Sequence, residues 1–147
     1  MAVSSTINQN TGIATFNFLA PNGTPVITYT FTLSSSTIAI SALGSNVTES
    51  MNTFQVDVGS LNRWMADVVV ALPPAQTTVD DRSITIAKSS ATAYSIAITI
   101  GTFSSNLSYS ATSTNVTIDS FSAATISFSD FQYLIGQYYY FINETLI

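Results

Sequence analysis

Along most of the chain, apolar and polar positions alternate with a period of two. Phe16 and Phe18 alternate with Thr15 and Asn17, and Ile27, Tyr29, Phe31 and Leu33 alternate with Thr28, Thr30 and Thr32. The pattern continues through Ile38 and Ile40, then Phe54, Val56 and Val58, then Ile84 and Ile86, then Tyr94, Ile96, Ile98 and Ile100. Leu107 and Tyr109, Val116 and Ile118, and Ile126 and Phe128 complete it. Successive strand side chains point to opposite faces, so each run predicts a strand with one face on a core and the other toward water. Pro21-Asn22-Gly23 predicts the turn between the first two runs. The fold expected is all-β and mainly antiparallel: a β-sandwich, jelly-roll-like, with one or two short helices.

Two segments depart from this period. From Ser60, the positions Leu61, Trp64, Met65, Val68 and Leu72 repeat at helical spacing, with Ser60 as the N-cap and Pro73-Pro74 as the stop. From Ser129, Phe131, Leu134, Ile135, Tyr138, Tyr139 and Ile142 do the same, and Ser129 with Gln132 matches a capping box. The β-branched and aromatic residues at 68–70 and 138–141 compete for strand. The two segments also align with each other, Val56 on Ile126, Val58 on Phe128, Leu61 on Phe131, Trp64 on Leu134 and Leu72 on Ile142. Asn46-Val47-Thr48 falls near Asn115-Val116-Thr117 at a slightly different offset, and 27–33 pairs with 94–100. The chain therefore reads as a flexible N-terminal arm at 1–12 and a single domain at 13–147. That domain holds two units of four strands plus a helix, at 13–72 and 82–143.

Composition narrows the function. Hydrophobic residues make up 46% of the 147 and charged residues only 7%, so the polar faces are built from Ser, Thr, Asn and Gln. There is no His and no Cys, which excludes imidazole acid–base chemistry, Ser-His-Asp and Cys-His nucleophiles, and most zinc, copper and haem sites. Arg63, Arg82 and Lys88 are the only bases against eight acids, too few for a nucleic-acid footprint or a polybasic membrane patch. No apolar run reaches the ~18 residues of a membrane span. The first ten residues lack the basic and apolar regions of a secretory signal, so the expectation is a chain made and kept in a cell until released. With few titrating groups, stability is expected to depend weakly on pH.

Few residues carry candidate chemistry. Asp80-Asp81-Arg82 is the sole charge cluster and reads as a solvated loop between the two units, since adjacent residues of an extended segment diverge. The other acids, Glu49, Asp57, Asp67, Asp119, Asp130 and Glu144, are scattered; any two could approach in space, but nothing in the sequence marks a glycosidase pair. No catalytic residue, metal site or cofactor is expected, and the protein is read as a non-enzyme. Trp64 lies on an apolar stripe and is assigned to the core. The segment 131–147 has more rings than one helical stripe can bury, leaving Tyr133, Tyr140 and Phe141 as candidate interface residues. Five sequons place candidate glycosylation at Asn22, Asn46, Asn106, Asn115 and Asn143.

In composition, over its whole length, the chain resembles structural proteins of icosahedral viruses of acidophilic archaea, which are often jelly-roll modules with hydroxyl-rich surfaces. That resemblance implies a virion coat or coat-associated subunit, made in the host cytoplasm, whose partners are itself or other coat proteins. No functional residue is carried over from it. The alternatives are a glycan-binding fibre or adhesin module acting through exposed aromatics, and an extracellular filament subunit at a cell surface.

Overall fold

The computed structural model describes residues 2–20, 22–42, 47–73, 80–88, 90–121 and 123–145. Among the described residues, ten strands form two antiparallel five-stranded sheets, accompanied by two helices. The first sheet contains β1 (Ala2–Asn8), β2 (Ile13–Leu19), β3 (Pro25–Thr32) and β4 (Thr37–Ala42) as a meander, edged by β10 (Ala124–Ser127). The second contains β6 (Arg82–Lys88), β7 (Ala93–Ile100), β8 (Phe103–Ser110) and β9 (Asn115–Phe121), edged by β5 (Val47–Ser50). Helix α1 (Met51–Ala71) follows β5, and α2 (Phe128–Thr145) follows β10.

Each half thus runs through a four-stranded meander, one short strand and a helix, and the short strand is exchanged: β5 pairs with β9, and β10 with β4. The all-β, two-sheet expectation stands. Its jelly-roll refinement does not match this strand order, because a jelly roll needs Greek-key connections and here sequential hairpins build both sheets. The turns repeat as well. Ser36 closes the β3–β4 turn at φ 55° and Thr114 closes the β8–β9 turn at φ 58°, both left-handed.

Four sequence expectations are corrected. The arm at 1–12 is instead strand β1, paired along its whole length from Ala2 with Leu19 to Asn8 with Ile13. Its apolar face holds only Val3 and Ile7, separated by Ser5, and that sparse pattern concealed the strand. The first helix starts nine residues before Leu61's neighbour Ser60: Ser50 is the N-cap, and its Oγ accepts from the Thr53 amide at 3.2 Å. Phe54 and Val58 therefore belong to a helix stripe with Leu61 and Val68, while Val56 faces outward. In α2 the cap is Ser127 rather than Ser129, accepting from the Asp130 amide at 3.1 Å.

The alignment of the halves also shifts. Matching Ser50 with Ser127 moves the helices seven residues from the hydrophobic match, which is two helical turns. A helical stripe nearly repeats every seven residues, so apolar pattern alone cannot detect that slip. Asn46-Val-Thr and Asn115-Val-Thr are not equivalents either. Thr48 and Thr117 are cross-strand partners, their hydroxyls 3.0 Å apart, and Asn46 lies outside the described residues.

The core lies between the inner sheet faces and the helix pair. Phe16, Phe18, Ile27, Tyr29, Phe31, Ile38, Ile40 and Ile126 line the first sheet, with cross-strand partners such as Phe16–Tyr29 and Phe31–Ile38. Ile96, Ile98, Ile100, Phe103, Leu107 and Val116 line the second. Each helix touches both sheets, α1 through β1, β2, β5 and β9, and α2 through β4, β7 and β10. Trp64 is the predicted core residue, its ring 5.9 Å from both Phe16 and Phe131. No helix of the described residues is long and apolar enough to cross a membrane.

Candidate functional site

The two halves differ at their outer edges. In the first half α1 lies along β1, so Val3 and Ile7 pack partly against the core. In the second, α2 lies over β7, and all seven residues of β6 are exposed. The β6–β7 register pairs Arg82, Ile84, Ile86 and Lys88 with Ile100, Ile98, Ile96 and Tyr94, which puts these four on the inner face of the sheet. Ile96, Ile98 and Ile100 are buried, yet Ile84 remains 36% and Ile86 40% exposed. An edge strand presenting its free backbone and two aliphatic side chains is the kind of surface that soluble monomers avoid.

The start of β6 is fixed electrostatically. Arg82 Nε donates to Asp130 Oδ1 at 2.8 Å, and its guanidinium sits 4.5 Å from the Tyr133 ring centroid. Asp130 is fully buried, and its other carboxylate oxygen accepts the Asp80 amide at 3.1 Å. The cluster at 80–82, expected to be solvated loop, instead docks the start of β6 onto the first turn of α2. Asp130 therefore has its oxygens held by an ion pair and a backbone amide, which is what a buried carboxylate requires. At the other end Lys88 shares a cleft of about 270 Å³ with Thr92, Tyr94, Tyr109 and Glu144. Tyr94 and Tyr109 are cross-strand partners, and both line that cleft.

A second group of ionisable side chains lies inside. Glu49 on β5 and Asp57 on α1 are both buried. Burial, then the hydrogen bond and charge of Asp57, push the Glu49 carboxyl up to about 8. Burial raises Asp57 as well. Two neighbouring buried carboxyls retain a proton more readily than one in water. Among the described residues, no group of three or more acids is placed to hold a metal ion.

The three candidate interface rings separate. Phe141 is fully buried between Phe54 and Tyr94, so it is a core residue and leaves the candidate interface. Helix α2 is longer than expected and touches both sheets, which gives it more buried positions than a single stripe provides. Tyr133 is half-buried beneath Arg82, and Tyr140 is 43% exposed. Of the sequons, Asn22, Asn106 and Asn143 are exposed and Asn115 is half-buried. The Asn22 side chain is engaged locally, its Oδ1 accepting the Thr24 amide at 3.0 Å.

Sequence reasoning overlooked Ile84 and Ile86 as surface residues, because alternation marks a face and cannot say whether another element covers it. The available signal was the pair of bases flanking Ile84-Thr85-Ile86, a common protection for an open edge. No protein-family model, curated protein or solved structure matches this chain.

Proposed function

We propose that this chain is a non-enzymatic structural subunit of a virion, a coat or coat-associated protein that packs against copies of itself or against other coat proteins. The observation that carries the reading is the uncovered β6 edge, where Ile84 and Ile86 stay exposed although the equivalent strand β1 is packed by its helix. Exposed Val56 and Val70 on α1 add further aliphatic surface. A surface with so few charges supplies little colloidal repulsion, which favours association. Mass spectrometry of purified particles tests this reading, and the expected result is the chain present at coat stoichiometry. Its absence from particles, together with a strictly monomeric mass in light scattering, would overturn it.

A second reading, a glycan-binding module, is favoured by one feature. The cleft is lined by two tyrosines together with Lys88 and Glu144, and aromatic side chains accompanied by polar groups suit a sugar ring. A glycan array separates the two: binding lost on Tyr94→Ala and Tyr109→Ala would support it.

A further inference from the structure

We infer that the partner of β6 is β6 of a second copy, joined antiparallel about a two-fold axis through Thr85. This rests on the assembly reading above and specifies its contact. The sequence Arg82-Ser-Ile-Thr-Ile-Ala-Lys88 has the same pattern of residue types in both directions about Thr85. Antiparallel pairing of two such strands sets Ile84 opposite Ile86 of the other copy, twice, and Thr85 opposite Thr85. A patch that complements itself is what a two-fold interface requires.

The backbone is in phase with this pairing. The Gly101 amide donates to the Asp81 carbonyl at 2.9 Å, continuing the β6–β7 register in which Arg82 faces Ile100. In an antiparallel ladder, hydrogen-bonded positions alternate along a strand. Ser83, Thr85 and Ala87 therefore bond toward β7, while Arg82, Ile84, Ile86 and Lys88 direct their amides and carbonyls to the open edge. Those four residues meet their own counterparts in the two-fold pairing, so each free donor finds an acceptor. The two five-stranded sheets become one of ten strands.

Charge permits the contact. The pairing places Arg82 opposite Lys88 of the other copy, a repulsion if both were bare. An acid of α2 neutralises the first, and another lines the same cleft as the second. Arg82 is bonded to Asp130, and Lys88 shares its cleft with Glu144. The exposed inner row of isoleucines becomes a block of four at the joint. Burial there covers sheet face that α2 leaves exposed.

The chain has no cysteine, so a single introduced thiol reports on the geometry. In the proposed pair Thr85 occupies a non-hydrogen-bonded position with its Cα about 4.5 Å from its counterpart, inside the range a disulfide spans. Thr85→Cys should convert to a disulfide dimer under mild oxidation. Ser83→Cys, whose counterpart lies about 14 Å away, four residues along the strand, should not. Ile84→Lys should weaken dimer formation about tenfold or more, and because Ile84 is already exposed the monomer should fold normally.

Assembly of the unaltered chain combined with failure of Thr85→Cys to cross-link, or with equal cross-linking of both cysteine variants, overturns the two-fold pairing and leaves the assembly reading intact. Head-to-tail pairing of β6 with β1 would give the first of these results. A monomer under all conditions overturns both.

Discussion

The hydroxyl of Tyr138 lies 3.3 Å from Ser105 Oγ, deep between the sheets. It also bonds the Tyr29 hydroxyl, so a line of three buried hydroxyls runs from β3 through α2 to β8. Burial raises the pKa of both tyrosines, and neither ionises in the ordinary range. Truncating the middle of the line leaves two polar groups buried with fewer partners, which costs about 1–3 kcal/mol. Tyr138→Phe should therefore lower the unfolding free energy by about that amount, measured by denaturant titration. Adding Ser105→Ala should restore part of the loss, because an unsatisfied hydroxyl then disappears.

Asp130 governs how β6 attaches to α2. Asp130→Ala leaves the Arg82 guanidinium and the Asp80 amide without their carboxylate, while the Arg82 side chain is 27% exposed and can reach water. The expected cost is about 2–3 kcal/mol, less than for a fully buried pair. Arg82→Met should cost at least as much, since it strands a fully buried carboxylate. Equal stability of both variants and the unaltered chain in thermal melts would contradict this.

Tyr140 and Phe141 are adjacent in sequence but occupy opposite environments. Phe141→Ala should destabilise the monomer by about 3–5 kcal/mol, as deletion of a core aromatic does. Tyr140→Ser should change monomer stability by no more than about 0.5 kcal/mol, as for an exposed position. Calorimetry of the two single variants measures both.

The Glu49–Asp57 pair adds a pH dependence that the scarcity of charge did not suggest. Glu49 is raised from 4.5 to about 8, so the folded state binds a proton that the unfolded chain releases at lower pH. The stabilisation is fully present below about pH 4.5 and is lost as the pH rises through 8. The melting temperature should therefore rise by about 5 °C or more between pH 8 and pH 5. Glu49→Gln should flatten that slope. A wild-type profile without slope, or one that the variant leaves unchanged, would refute the assignment.

What the sequence determined by itself is the part of the fold written in local periodicity. Alternation such as 27–31 and 96–100 dictates strands with one apolar face, because a residue's side of a pleat depends only on its parity. The stripe of Leu61, Trp64 and Val68 dictates a helix for the same kind of reason. Tertiary structure decided what parity and stripe leave open. The β1 strand exists because β2 offers it a full ladder, although Val3 and Ile7 alone are a weak signal. The start of α1 was set at Ser50 by the end of β5, since Phe54 and Val58 satisfy either period until a neighbour selects one. The exchange of β5 and β10 between sheets joins residues such as Thr48 and Thr117 that no local pattern relates. Coverage was decided in the same way. Ile86 and Ile96 are identical in type and face each other across a ladder, yet α2 buries one and leaves the other at the surface, because burial depends on where a distant element comes to rest.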